Sequence, residues 1–180
     1  PTGAELLPLT SIRRAIADSQ SGFEKLLASI PGYKGYKQKE LRREADKRLR
    51  MHLAGCFDEA RRHLLGAMEQ ITSSGRLEET AALQKSNMRL QLLIDRLRTA
   101  TYGYAGWFDA VNIEQEELDR LYAFDSALAS GVDRVNEVVA KIVGQAAAGE
   151  STAAEARALA AMLEELNDTF SRRSEAIIGE

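Results

Sequence analysis

The sequence predicts an all-α protein: an up-down four-helix bundle made of two tandem helical hairpins, preceded by two short helices. Apolar residues recur at three- and four-residue steps over long stretches, only three prolines interrupt the 180 residues, and no run alternates as a strand does. With 44% apolar and 28% charged residues, the chain has the composition of a folded globular protein. Its length suits a single domain over residues 1–180.

Two short amphipathic helices are predicted within residues 4–30. The second begins with a capping box formed by Ser21 and Glu24, and Pro31 and Gly32 end it. The apolar positions of the two helices follow helical spacing and are Leu9, Ile12, Ile16, Phe23, Leu26, Leu27 and Ile30.

The first hairpin is predicted over residues 36–101. Its long helices cover about 37–73 and 77–101, and Gly75 suits the turn between them. The inward-facing positions form one stripe on each helix: Leu41, Ala45, Leu49, Leu53, Phe57, Ala60, Leu64, Met68 and Ile71, then Leu83, Leu90, Ile94 and Leu97. Asn87 interrupts the second stripe.

The second hairpin is predicted over residues 108–178. Asn112 is the expected N-cap of a helix over about 114–148, Gly149 suits the turn, and a capping box of Thr152 and Glu155 starts the last helix. The two stripes are Leu118, Leu121, Asp125, Leu128, Val132, Val135, Val139 and Ile142, then Leu159, Met162, Leu166, Phe170 and Ile177.

Some apolar residues fall outside these stripes. Leu92, Leu93 and Val138 are expected on the surface, where they widen the apolar faces. Such faces suit either docking of the N-terminal helices or contact with a second subunit, and the pattern does not choose between them.

The pattern Gly-Tyr-X-Gly-aromatic occurs twice, at 32–36 and 103–107, each time ahead of a hairpin. In an up-down bundle the first and third helices start at the same end, so both motifs are predicted to lie together there. The halves do not align convincingly beyond these five residues. Whether they arose by duplication stays open.

The aromatic residues of these motifs, with the lysines beside them, are the candidate partner-binding site. They are Tyr33, Tyr36, Tyr102, Tyr104 and Trp107, together with Lys34 and Lys37. One interpretation is a docking platform, because rigid aromatic side chains bind well and the lysines favour an anionic partner. The other is a plug that closes the open end of the core, with the glycines at positive φ. The plug is the more common use of aromatic residues.

Asp125 and Asn87 stand where the stripes expect apolar residues. A buried carboxylate needs a partner, and Arg96, Arg98 or a tyrosine hydroxyl could supply it. One interpretation is a functional acid with a shifted pKa. The favoured interpretation is a specificity contact that fixes helix register, which suits Asn87 as well.

No cofactor, metal site or catalytic motif is predicted. His52, Cys56, Glu59 and His63 follow one helical stripe, but a metal site there needs ligands from another helix or another subunit, and the second helix has no His or Cys. The paired Glu-x-x-His motifs of di-iron bundles, phosphate loops and nucleophile elbows are absent from the sequence. The sequence therefore indicates a protein that is not an enzyme.

The charge distribution is uneven. Residues 33–51 contain eight basic and three acidic side chains, about +5, although the whole chain carries −3. The simplest interpretation is a solvated helix face. Binding of anionic lipid, with the N-terminal helices inserted, is the alternative, and nucleic acid is unlikely because no base-reading motif accompanies the charge.

The expected location is the cytoplasm. Cys56, the single cysteine, cannot form an internal disulfide, and neither a signal peptide nor an apolar run of about 18 residues is recognisable.

The segments "PGYKGYKQKELRREADKRLR", "ATYGYAGWFDA" and "LDRLYAFD" resemble an uncharacterised bacterial all-helical family. The resemblance covers the middle two thirds of the chain, and it implies a bacterial source and a non-enzymatic accessory role. The leading hypothesis is thus a helical-bundle interaction or scaffold protein that binds a protein partner or associates with itself. A peripheral membrane-surface protein is the alternative, and a small-ligand or metal-binding bundle is the second alternative.

Overall fold

The computed structural model describes residues 22–35, 42–100 and 114–178, and every regular element within these ranges is an α-helix. The four long helices are α1 (Arg42–Ser73), α2 (Leu77–Thr99), α3 (Gln115–Ala148) and α4 (Ala153–Ile178). Residues 22–29 form a further helical segment. The predicted all-α class is confirmed. Within the described ranges, no helix is both long and apolar enough to cross a membrane.

Two glycines make the tight reversals that the sequence predicts. Gly75 follows α1 with φ 80°, and Gly149 caps α3 with φ 72°. Side chains are disfavoured at such positive φ values, so glycine is the residue that ends both helices at the least conformational cost.

The start of α3 differs from the prediction. Its N-cap is Glu114, whose backbone N–H donates to the Glu117 carboxylate at 2.9 Å in a capping box. The prediction of Asn112 as N-cap was wrong; Asn112 lies outside the described residues. The box explains the difference, because Glu117 satisfies a backbone N–H at the later position.

Each long helix packs most extensively against two of the others. α1 contacts α2 and α3, and α4 contacts α2 and α3. Arg50, near the start of α1, donates to the Leu97 carbonyl near the end of α2 at 2.7 Å. Arg89 and Arg96 of α2 donate to the carbonyls of Ala160 and Asn167 in α4, at 2.8 and 2.9 Å. In both bonds the acceptor lies 71 positions after the donor in the sequence, so α2 and α4 run side by side in the same direction.

The core is one main apolar cluster to which all four long helices contribute. The described positions of the predicted stripes are buried except Met162, which is partly buried against the cluster; Leu41 lies outside the described residues. Exposure is only 0–1% for Leu49, Leu53, Phe57, Leu64, Ile71, Leu83, Leu90, Ile94, Leu97, Val135, Val139, Ile142 and Leu159. Phe23, Leu26 and Leu27 of the N-terminal helical segment pack against this cluster, and Ile30 is buried in it. Five helices therefore share one core.

α2 buries a wider arc than the sequence predicts. The expectation of a surface position for Leu93 was wrong, since Leu93 is fully buried, whereas Leu92 is 52% exposed. The reason is that α2 packs against both α1 and α4, so residues on two sides of its stripe are covered. Val138 is partly buried against the main cluster.

Candidate functional site

Four charged side chains form a polar layer inside the protein: Asp46 and Arg50 of α1, Asp125 of α3 and Arg173 of α4. Along α1, α3 and α4, respectively, Asp46, Asp125 and Arg173 lie between the main cluster and a small apolar cluster, which contains Ala45, Leu118, Leu121 and Ile177. The exposures of the four side chains are only 0–3%. Buried charges are tolerated when they are paired and hydrogen-bonded, and these are.

Arg173 is the centre of the polar layer. Its Nε donates to Asp125 Oδ1 at 2.6 Å, and its Nη2 donates to Asp46 Oδ1 at 2.6 Å. One guanidinium thus joins α1, α3 and α4 through charge-assisted hydrogen bonds. The planar fork of arginine suits this bridging, which a lysine ammonium could not reproduce with the same geometry.

Arg50 extends the polar layer to α2. Its Nε donates to Asp46 Oδ2 at 2.7 Å, while its Nη1 donates to the Leu97 carbonyl at 2.7 Å. The two Asp46 oxygens therefore accept from two different arginines, and the end of α2 is tied to the layer through its backbone. All four long helices are connected at this end by side chains of the layer.

Arg173, which donates to Asp125, is not one of the predicted partners. Arg96 lies against Asn167 and over the Phe170 ring, 5.0 Å from its centroid, and Arg98 pairs with Asp58 on the surface. Arg173 takes the place expected for them. A gap in the predicted α4 stripe between Phe170 and Ile177 was the available signal, because position 173 lies on the same helix face.

Asn87, the other predicted buried polar residue, lies in the interior with 8% exposure. Its Oδ1 accepts no hydrogen bond from any part of the chain that the structure describes.

The first aromatic motif is described as far as residue 35. Tyr33 is half-buried and packs against both apolar clusters, whereas Lys34 is exposed. Gly35 has φ 75°, and a Cβ there would lie 2.9 Å from the Tyr122 hydroxyl oxygen. A close approach of the chain to Tyr122 thus requires glycine at this position. The remaining predicted partner-binding residues lie outside the described ranges: Tyr36, Lys37, Tyr102, Tyr104 and Trp107.

Part of the basic segment is used inside the protein. Arg42 and Arg50 are buried, and Arg48 donates to the Pro31 carbonyl at 2.7 Å while pairing with Glu44 at 2.9 Å. Arg43, Lys47 and Lys34 are exposed. Less positive charge therefore faces solvent than the sequence run indicates.

At the opposite end, three side chains form what we call the tip latch: Arg76 and Glu79 of the first hairpin and Thr152 of the second. The Thr152 backbone N–H and hydroxyl both donate to Glu79 Oε2 at 2.8 Å, and Arg76 pairs with Glu79 Oε1 at 3.5 Å. Arg76 also donates to the Glu150 carbonyl. The Glu79 carboxylate of α2 thus accepts a backbone N–H at the start of α4, as a capping side chain does.

The tip latch shifts the ionisation of Glu79. The hydrogen bonds from the Thr152 backbone N–H and hydroxyl, followed by the positive charge of Arg76, hold the pKa of the Glu79 carboxyl below its ordinary value. Hydrogen bonds that favour the charged form of a carboxylate have this effect.

The predicted His and Cys stripe shows one contact. Cys56 Sγ lies 3.7 Å from His52 Nε2. Burial raises the pKa of the Cys56 thiol, and the negative charges of Glu59 and Asp133 raise it further. In the described ranges, no group of three or more His, Cys, Asp or Glu side chains could hold a metal ion.

The solvent face of α2 carries apolar side chains opposite the core. Leu77 is 66% exposed, Met88 65% and Leu92 52%, and Ala81 is exposed on the same face. We call these four residues the α2 outer face. Steps of four, seven and four residues place them within an arc of about 60°.

Comparisons with protein-family models, curated proteins and solved structures give no significant match to this chain.

Proposed function

We propose that this chain is a non-enzymatic helical-bundle interaction or scaffold protein that docks a protein partner. The observation that carries the proposal is the α2 outer face, where three large apolar side chains are each more than half exposed. Isolated exposed apolar residues are normal, but several on one face of one helix are typical of an interaction surface. Removing apolar area from water stabilises a complex by roughly 25 cal/mol per Å².

The polar layer supports a structural rather than a catalytic use of the buried charges. Each of its carboxylates bonds to an arginine, and the side chains are at most 3% exposed. A general acid or base must reach the substrate, which these groups cannot do in this arrangement. The thiol of Cys56, whose pKa is raised, is likewise a poor nucleophile.

The end of the molecule that contains the polar layer, which we call the open end, is proposed as a second docking surface. We propose that the helices form an up-down bundle of two tandem hairpins, which is supported by the contacts of Arg50 with the end of α2 and of Arg173 with Asp46 and Asp125. In that arrangement the starts of α1 and α3 share one end, and we propose that the two Gly-Tyr-X-Gly-aromatic motifs, which precede these helices in the sequence, form the docking surface there. Lys34, exposed beside Tyr33, favours an acidic partner surface.

Affinity capture with the full-length protein tests the proposal. Three baits are compared after cross-linking in cells: the wild type, Leu77→Glu with Met88→Glu, and Val143→Glu, an exposed apolar position on α3 that serves as the matched control. We expect the wild type and the control to enrich the same proteins, either another protein or untagged copies of the chain. The double variant should lose them while unfolding at the same temperature.

Two results would overturn the proposal: no enrichment above the tag alone, or equal enrichment by all three baits. A fourth bait, Tyr104→Ala with Trp107→Ala, tests the open end separately. We expect it to lose an acidic partner if one docks there.

Location in the cytoplasm is part of the proposal, supported by the lone cysteine and its half-buried thiol. The membrane-surface alternative has less support. Phe23, Leu26 and Leu27 pack against the main cluster instead of facing outward, and Arg42 and Arg50 are buried. Flotation with anionic liposomes at low and moderate salt distinguishes the cytoplasmic from the membrane-surface hypothesis. We expect the protein to remain at the bottom of the gradient at both salt concentrations.

A further inference from the structure

We infer that the occupant of the α2 outer face is the α2 helix of a second copy, packed antiparallel across a two-fold axis near residues 84 and 85. This inference rests on the proposed function, because it names the partner of the same face. It specifies the two-fold symmetry of the dimer, the register of the two α2 helices and the effect of the Lys85 charge on dimerisation. Each of these can be measured separately.

The spacing of the α2 outer face carries the inference. Leu77, Ala81, Met88 and Leu92 follow one another at steps of four, seven and four residues, so the order of steps is the same from either end. In an antiparallel pair of identical helices, Leu77 then lies opposite Leu92 of the second copy, and Ala81 lies opposite Met88. A small residue faces a long one, which lets the helices approach closely. A closed two-fold interface needs this self-complementarity.

The polar residues at the axis set the next constraint. Gln84 and Lys85, both exposed, lie on the two sides of the apolar seam. On one side, the Gln84 amides of the two copies can hydrogen-bond to each other. On the other side, the two Lys85 ammonium groups approach each other and repel, although their long stems let the charges turn toward solvent. The inferred pairing therefore carries a built-in electrostatic penalty.

The size of the face sets the strength of the pairing. A standard interface buries roughly 800 Å² on each partner. α2 has 23 residues and a length of about 34 Å, and one face of it offers less area than that. The dimer is accordingly weak and its population rises with protein concentration. Because each copy uses its outer face once, assembly stops at two.

Sedimentation equilibrium of the full 180-residue chain over a wide concentration range is the first test. We expect a monomer–dimer equilibrium, loss of dimer in Leu77→Glu with Met88→Glu, and no change in the control Val143→Glu. Lys85→Gln removes the repulsion at the axis and should strengthen dimerisation by about twofold. A dimer formed through any other surface would not respond to Lys85→Gln.

Cysteine cross-linking tests the register. In a Cys56→Ala background, Gln84→Cys places two thiols beside the axis, within the approximately 4 Å between Cβ atoms that a disulfide requires. The matched control is Asp95→Cys, on the same helix and also exposed. Its two copies would be separated by about 31 Å along the antiparallel pair, so they cannot link. With an added oxidant such as copper phenanthroline, which takes up the two electrons released when the thiols join, we expect a covalent dimer from the first variant and none from the second.

The inference is overturned if the wild type stays monomeric at all concentrations, if Gln84→Cys fails to cross-link, or if Asp95→Cys links equally well. None of these results contradicts the proposed function by itself. That function fails when the capture experiment enriches neither another protein nor a copy of this chain, so the two failures are distinguishable.

Discussion

The two ends of the molecule are fastened by the same chemistry in opposite surroundings. At the open end, the polar layer pairs arginine with aspartate at side-chain exposures of 0–3%. At the other end, the tip latch pairs Arg76 with Glu79, each with a side chain 20% exposed. Charges attract more strongly in a low-dielectric interior, but each one also costs more to remove from water.

This difference in solvent access decides how each end fails. When one member of the polar layer is removed, water cannot readily replace it, and the remaining charge stays buried. When one member of the tip latch is removed, solvent can hydrate the others. We therefore expect the open end to be sensitive to single substitutions and the tip latch to respond mildly, with a dependence on pH.

The largest effect is expected for Arg173→Met. The substitution keeps an apolar stem of similar length and removes the guanidinium from Asp46 and Asp125 together. Breaking a buried ion network in this way costs about 3–5 kcal/mol. The midpoint of urea unfolding, followed by circular dichroism, measures this loss in the free energy of unfolding.

Arg172→Met is the matched control for that variant. Arg172 is the preceding residue on the same helix and is exposed, so we expect a change within about 0.5 kcal/mol. Equal losses for the two variants would mean that the polar layer does not hold the open end together.

Asp125→Asn should have the second-largest effect. The amide keeps the shape of the side chain but replaces a charge-assisted hydrogen bond to Arg173 Nε with a weaker one, and we expect a loss of about 1.5–3 kcal/mol. Combined with Arg173→Met, the loss should be smaller than the sum of the two single losses, because the two residues form one interaction. Strictly additive losses in urea unfolding would contradict the direct coupling.

The core of this fold was predictable from the sequence because helical periodicity records burial directly. The expected stripe from Ala45 to Ile71 in α1 is buried throughout, as is the stripe from Leu118 to Ile142 in α3. Leu93 was assigned wrongly, since a stripe drawn for one packing partner underestimates the arc buried by two. The pairing of helices depends on how side chains interlock in three dimensions, which periodicity does not record.

The candidate sites were less predictable. Asp125 could be recognised because a carboxylate interrupts an apolar stripe. Asp46 and Arg50 could not, because they occur among eight basic residues whose spacing looks like that of a solvated face. Asp46 is buried because a partner on another helix pairs with it. That partner, Arg173, lies 127 positions away in the sequence, so no local pattern indicates it.

Glu79→Gln tests the tip latch at neutral pH. The amide can still accept from Thr152, but the charge that favours this contact and the pair with Arg76 are lost, and we expect a loss of about 1 kcal/mol. Urea unfolding at pH 7 measures it, with Glu78→Gln, at the exposed neighbouring position, as the control. A loss as large as that of Arg173→Met would remove the contrast between the ends.

The pH dependence of the same variant gives a second measurement. The pKa of Glu79 is lower in the folded protein than in the unfolded chain, so the carboxylate contributes stability that is complete above its ordinary, unfolded pKa. That contribution is lost as the pH falls through the lower folded pKa. The stability difference between wild type and Glu79→Gln should therefore shrink as the pH falls below about 5. A constant difference over this range would show that the charge of Glu79 is not what stabilises the latch.

The smallest effect is expected for Glu44→Gln, which is informative because Glu44 lies near the polar layer in sequence and yet is exposed. Its pair with Arg48 has side-chain exposures of 51% and 40%, and exposed pairs contribute about 0.2–1 kcal/mol or less. We expect a loss below about 0.5 kcal/mol in urea unfolding, diminished further in 0.5 M salt because such charges are screened. If the loss in Glu44→Gln instead approached that in Asp125→Asn, burial would not determine how much each charge contributes to the free energy of unfolding. Position at the open end would determine it.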